Sequence, residues 1–183
     1  MINYSHNDII LIRGAPTAGK TQLSKNLIKY YDKGVRIEID TLRAMVIKPK
    51  WTNQIEHKRI LNLSIKLVEG FLIMQFSPII IVDTFSGNKQ NGYIKLLKEN
   101  IPAVQIYRIG LFADKETIIK RVAERNVDEF KDVECCIKLN NEIINSKDDN
   151  ELKLNTSKYS ICKSSKIIYD YIEESKKKIY RRK

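Results

Sequence analysis

The chain has 183 residues, which at about 150 residues per domain leaves room for one domain. With 43% hydrophobic residues and only 7 Gly and 4 Pro, it is neither disordered nor fibrous and has enough apolar side chains for an ordinary core. The net charge of +11 is uneven: residues 176–183 (KKKIYRRK) carry six basic and no acidic side chains, leaving 27 basic against 22 acidic in residues 1–175. Residues 1–175 are therefore read as one domain and 176–183 as a basic tail. Such a tail either binds an acidic partner such as nucleic acid or is a solvated end.

Taken in chain order, the opening MINYSHNDII lacks the basic start, apolar run and cleavage site of a secretory signal, so the cytoplasm is the expected location. Residues 8–13 (DIILIR) form a short apolar run that predicts a strand, and residues 20–31 carry Leu23, Leu27, Ile28 and Tyr31 at helical spacing. Residues 35–39 (VRIEI) alternate as a strand, and Asp40 is placed to cap a short helix reaching residue 46. A long helix is expected over 54–75, then a strand over 78–83 (PIIIVD), whose β-branched run suits burial on both faces. The longest apolar stretch, 71–82, is interrupted by Gln75, Ser77 and Pro78 and falls short of the roughly 20 residues of a spanning helix, so no membrane segment is expected.

Further on, the pattern predicts a helix over 87–100, a strand over 103–112 and an amphipathic helix over 115–126 behind an Asp114 cap. A helix over 128–145, a short strand over 152–155 and a helix over 161–174 complete the order. Strands alternating with helices imply crossover connections, hence an α/β fold in three layers with a mostly parallel five-stranded sheet and helices on both faces. Cys135, Cys136 and Cys162 are odd in number and two are adjacent, so they are read as reduced packing residues. His6 and His57 stand apart from them and from each other, which argues against a zinc site.

The motif that carries chemistry is Gly14-Ala15-Pro16-Thr17-Ala18-Gly19-Lys20-Thr21, a G-x-x-x-x-G-K-[ST] match between a predicted strand and a predicted helix. Its backbone N–H groups would cradle phosphates at a helix N-terminus, Lys20 would place a charge on the β- and γ-phosphates, and the Thr21 hydroxyl would ligate Mg²⁺. A dinucleotide fingerprint is excluded because position 16 is Pro. Asp40 and Arg43 follow the second strand, where a carboxylate can take a proton from an attacking hydroxyl and an arginine one turn along can orient the acceptor. The plainer alternative is a helix cap beside a solvated arginine. Asp83 closes a Walker B-like strand and is a candidate metal residue or, equally, a cap for the next turn. Arg121 and Arg125 share a helix face and can grip a transferring phosphoryl group, or simply lace to Glu116 and Glu124. Trp51, in a Lys-Pro-Lys-Trp turn, either stacks on a ring or packs beside the long helix.

The succession GAPTAGKT, IDTLR, IIIVDT and RVAER resembles the small P-loop kinases of the polynucleotide kinase, gluconate kinase and chloramphenicol phosphotransferase group, over roughly residues 8–126. The resemblance implies that Asp40 is the general base, that Arg43 handles the acceptor, and that Arg121 and Arg125 are lid arginines on the ATP phosphates. Asn155 stands where relatives often have Asp, and Thr41 where a second acid often adjoins the base. The resulting expectation is a kinase using ATP and Mg²⁺ to phosphorylate a hydroxyl of a small molecule such as an alcohol, nucleoside or antibiotic. A 5'-hydroxyl nucleic acid is the alternative acceptor, and a nucleotide-hydrolysing switch the alternative class.

Overall fold

A computed structural model of the chain describes residues 7–101, 103–127 and 129–181, with the side chain of Tyr180 set aside. Five strands, β1 (Asp8–Gly14), β2 (Val35–Glu38), β3 (Ile79–Val82), β4 (Gln105–Phe112) and β5 (Glu151–Asn155), pair in the order β2-β3-β1-β4-β5. Every pairing is parallel. Helices α1 (Lys20–Leu27), α2 (Ile39–Ala44), α3 (Gln54–Ile73), α4 (Lys89–Asn100), α5 (Lys115–Ala123), α6 (Val133–Ile144) and α7 (Ile161–Tyr180) make the crossovers. The predicted three-layer α/β fold is therefore the observed one, with the sheet parallel throughout.

Side-chain alternation along the strands divides the core in two. Ile9, Leu11, Ile79 and Ile81 face α3 and α4, whereas Ile10, Ile12, Ile80 and Val82 face α1 and α7. All four β3 residues are buried, as the unbroken β-branched run predicts for a strand covered on both sides. Each such side chain contributes about 1.5–3 kcal/mol relative to exposure.

Boundaries differ from expectation where capping or tertiary contacts decide them. Residue 39 opens α2 instead of ending the strand, so Asp40 lies within the first turn, where its charge complements the helix dipole, and Glu38 is the N-cap residue. Asp132, whose carboxylate accepts from Cys135 N–H, starts α6 later than the predicted residue 128, a position outside the described residues. Helix α7 runs past the predicted end at 174 and across the boundary drawn at 175. Its extension is docked: Lys176 Nζ meets Asp8 Oδ2 and Glu173 Oε1, both at 2.9 Å, and lies 5.7 Å above the Tyr31 ring. The tail thus begins as packed helix, while residues 182 and 183 lie outside the described residues.

A buried ion pair ties β1 to β5 across the intervening β4. Arg13 Nε and Nη2 donate to Glu151 Oε1 and Oε2, each at 2.6 Å, with both side chains almost sealed from water. Removing one member strands a buried charge, so Arg13→Met is expected to cost about 3–5 kcal/mol, whereas Arg13→Met with Glu151→Leu recovers most of it. Urea unfolding measures both, and a single variant as stable as the parent chain would exclude this role.

Candidate active site

Residues 14–21 form the turn between β1 and α1. Two glycines make it possible: a Cβ on Gly14 would lie 2.6 Å from the Leu111 carbonyl oxygen, and Gly19 adopts φ +89°. Thr17 also holds a positive φ, +70°, and its buried Oγ1 has no hydrogen-bond partner among the described residues. Lys20 arches back over the turn, donating from Nζ to Gly14 O at 2.8 Å and Ala15 O at 2.9 Å. No acidic side chain occupies the first turn of α1, so the free N–H groups at its positive end face the loop as an anion site.

A cleft of ≈ 610 Å³ opens above this turn, walled by Pro16, Thr17, Gly19, Lys20 and Thr21, by Asp40 after β2, by Asp83 after β3, and by Arg121 and Arg125. Strand register accounts for the convergence. Glu38 on β2 and Ile12 on β1 both pair with Val82, so the residues that leave β2 and β3 emerge beside the P-loop. Gly14, Ala15 and Ala18 are not among the wall residues, and Ala15 and Ala18 lie fully buried beneath the loop they shape.

Three charges share this edge. Burial lowers the Lys20 ammonium from its ordinary pKa, with Asp40 and Asp83 opposing the shift and Arg125 adding to it. The Asp40 carboxyl lies above the ordinary range, first through loss of solvent around it and then through the negative Asp83, with Lys20, Arg43 and His57 pulling the other way. Asp40 is solvent-accessible and accepts no hydrogen bond from the described residues, so its lone pairs are open to the cleft. Burial pushes Asp83 up, yet the His57 hydrogen bond, the Phe85 N–H and Lys20 outweigh it and hold Asp83 below the ordinary carboxylate value. Asp83 is 3% exposed and its Oδ2 accepts from Phe85 N at 3.1 Å, while Oδ1 lies 3.2 Å from His57 Nε2. The sequence shows His57 only as an isolated histidine; the fold places it on the buried face of α3, and the 26-residue separation from Asp83 is what hides the pairing in the sequence.

The arginines divide into two groups. Arg121 clasps two segments, donating from Nη1 to Thr17 O at 3.1 Å and Thr156 Oγ1 at 3.0 Å, and from Nη2 to Thr156 O at 3.1 Å. Arg125 pairs with Glu129 at 3.0 Å, not with Glu124, and its buried Nε has no hydrogen-bond partner among the described residues. Arg43, expected to orient an acceptor, is placed elsewhere: it is 5% exposed, absent from the cleft wall, and donates from Nη2 to the carbonyls of Lys50 at 3.2 Å and Trp51 at 3.0 Å. Its guanidinium also lies 4.8 Å from the centre of the Trp51 ring. Trp51 is 51% exposed and covers this arginine. The three cysteines are free, as expected, with Cys136 buried and Cys162 exposed.

Among the described residues no group of three or more His, Cys, Asp and Glu side chains is arranged to hold a metal. The Thr21 hydroxyl and the ionised Asp83 carboxylate are hard oxygen donors on one cleft wall, and Mg²⁺ characteristically combines one or two such groups with phosphate oxygens and water. The donor set therefore fits Mg²⁺ brought with a nucleotide rather than a resident protein cage.

Residues 9–136 match the family described as AAA domain. The chain belongs to the AAA domain family. Within this AAA domain segment fall every P-loop residue together with Asp40, His57, Asp83, Arg121 and Arg125, whereas Thr156, the far side of the Arg121 clasp, lies beyond it. The tunicamycin resistance protein of Deinococcus radiodurans has a similar structure, with TM-score 0.69 and 16% identity over 91% of this chain and 95% of that one. A gluconokinase from Sinorhizobium meliloti 1021 gives TM-score 0.68 and 10% identity over 97% and 98% of the two chains. The APS kinase of Mycobacterium tuberculosis, in complex with AMPPNP and APS, gives 0.65 and 9% over 92% and 98%. At these identities the likeness is one of fold. No curated protein sequence matches the chain. Among the described residues no helix is long and apolar enough to cross a membrane.

Loss of the Arg121 clasp in Arg121→Met is expected to weaken ATP binding about 10–100-fold, the scale of charge-assisted hydrogen bonds worth about 1.5–3 kcal/mol. Arg43→Met should instead lower thermal stability and leave ATP affinity within about twofold, by the same reasoning applied to a residue outside the cleft. Fluorescent-nucleotide titration beside thermal melts checks both, and an inverted pattern would reverse the two assignments.

Proposed function

We propose that this protein is a kinase that transfers the γ-phosphoryl group of ATP, with Mg²⁺, to a hydroxyl of a small-molecule acceptor. The observation that carries the reading is Asp40: a carboxylate accepting no hydrogen bond from the described residues, on the same cleft wall as Lys20, Thr21 and Asp83. A nucleotide switch can position its water with a neutral amide side chain, as small GTPases do, whereas an acceptor hydroxyl gives up its proton to a carboxylate.

In this reading the backbone N–H groups of Thr17, Gly19, Lys20 and Thr21 bind the β-phosphate and Lys20 leaves the Gly14 and Ala15 carbonyls to meet the β- and γ-phosphates. Arg121 and Arg125 offset the charge that grows on the equatorial oxygens of the transferring group. Mg²⁺, held by the Thr21 hydroxyl and the Asp83 carboxylate, neutralises phosphate charge when bound. The acceptor oxygen forms its bond to the γ-phosphorus as the bond to the β,γ-bridging oxygen breaks, and the acceptor proton passes to Asp40. ADP departs with the bridging oxygen. Arg43 acts on the acceptor side only by holding the segment between α2 and α3 in place.

Two considerations favour a small acceptor over a nucleic-acid end. The fold neighbours include a gluconokinase and an APS kinase, each named for a small molecule. Lys176, the first lysine of the basic run, is occupied by Asp8 and Glu173, which removes part of the charge that a phosphate backbone would use. A 5'-hydroxyl polynucleotide acceptor would instead bind with steep salt dependence.

Incubation with γ-labelled ATP and Mg²⁺, against pooled small alcohols, nucleosides and antibiotics in one reaction and a 5'-hydroxyl oligonucleotide in another, tests the reading. Label is expected on a small molecule; label on the oligonucleotide alone, or free phosphate alone, would replace it with one of the other two activities. Asp40→Asn should lower kcat about 100- to 10,000-fold with ATP affinity nearly unchanged. The base works only when deprotonated and its pKa is raised, so kcat should fall with decreasing pH along a limb above the ordinary aspartate value of about 3.9. A limb at or below that value would count against Asp40 as the base.

A further inference from the structure

We infer that His57 is a positioning residue for Asp83: its Nε2–H, together with the Phe85 N–H, sets the orientation in which the Asp83 carboxylate faces the cleft. This rests on the metal-binding reading of Asp83 given above. Asp83 closes β3, and a carboxylate there retains rotation about its own side-chain bonds unless something restrains it. Two donors on opposite oxygens supply that restraint, His57 Nε2 on Oδ1 at 3.2 Å and Phe85 N on Oδ2 at 3.1 Å. Each oxygen keeps a lone pair for the cleft, because a carboxylate offers about four acceptor sites.

The two donors are themselves fixed. Phe85 is fully buried at φ +45°, a conformation a bulky residue keeps only when its surroundings enforce it, and its ring packs 5.3 Å from that of Tyr93. Tyr93 is locked in turn by a 2.7 Å hydrogen bond to Ser64 on α3. His57 sits in the first turn of the same helix and is 5% exposed. Helix α3 therefore reaches the Asp83 segment twice, directly through His57 and through the Ser64–Tyr93–Phe85 chain. Because an ionised carboxylate only accepts, Nε2 carries the proton; the network assigns that tautomer. A histidine retained merely to satisfy a buried aspartate would be replaceable by any change that keeps the fold, whereas a positioning residue would not.

The experiment measures Mn²⁺ binding to the protein–ADP complex by electron paramagnetic resonance, alongside ADP affinity in EDTA, thermal stability, and the Mg²⁺ dependence of turnover. Groups that orient a metal-binding side chain typically contribute about 10–100-fold to metal affinity. His57→Leu is expected to weaken Mn²⁺ binding about tenfold with metal-free ADP affinity unchanged, and to raise the Mg²⁺ needed for half-maximal rate more than it lowers the rate at saturation. His57→Gln, whose amide N–H reaches a similar place, should recover most of the loss, and His57→Leu in an Asp83→Asn background should add nothing. Normal Mn²⁺ affinity in His57→Leu, or equal impairment in the Leu and Gln variants, would overturn the inference while leaving the Asp83 reading intact. Normal Mn²⁺ affinity in Asp83→Asn would overturn that reading and this inference with it.

Discussion

One ammonium and two carboxylates sit together at the carboxyl edge of a parallel sheet, where solvent is partly excluded and each charge sets the state of the others. Lys20 is depressed by burial and supported by Asp40 and Asp83, Asp40 is raised by burial and by Asp83, and Asp83 is held ionised by donors of its own. The opposite charges offset one another in part, and the carboxylate that accepts no hydrogen bond from the described residues is the more exposed of the two. The strand order β2-β3-β1 is what brings the three together, since Asp40 and Asp83 follow strands that run side by side into the P-loop strand.

Around that cluster the molecule uses two kinds of fastening. Arg121 bridges the P-loop at Thr17 and the connection after β5 at Thr156, so the helix carrying it is coupled to both sides of the cleft mouth. Its side chain makes hydrogen bonds to backbone carbonyls that phosphate oxygens can replace without leaving a buried cation unpaired. Helix α3, behind the cleft residue Asp83, is held at several points: Asn53 caps it through Ile55 and Glu56, Arg43 pins the segment that leads into it, and His57 and Ser64 tie it to the Asp83 segment and to α4.

The positive charge is organised differently from its appearance in composition. Lys176 opens the most basic run of the chain yet functions as a strut between α7 and the start of β1, and Arg13 is a buried tie between strands. These two cations therefore belong to packing, while Lys177, Lys178 and Arg181 of the same run are exposed. What remains facing the cleft, Lys20 with Arg121 and Arg125, is matched in scale to a triphosphate.

Features that depend on neighbours in sequence were determined by the sequence alone. The P-loop is eight consecutive residues whose glycines and lysine work through local backbone geometry, β3 is a continuous apolar run, and the alternation of periods two and 3.6 is enough to specify a parallel α/β sheet. Asp40, Asp83, Arg121 and Arg125 were identifiable because each follows a strand or lies on a helix face of known direction. Tertiary structure decided what depends on distant partners. Arg43 has the spacing of an acceptor residue but is captured by Lys50 and Trp51, and Arg13 finds Glu151 across 138 residues of chain. His57 looked solitary until α3 packed against β3 and delivered Nε2 to Asp83. A side chain's intrinsic chemistry is written at its own position, but which group it meets, and whether it is free to meet a ligand, is set only when the helices close over the sheet.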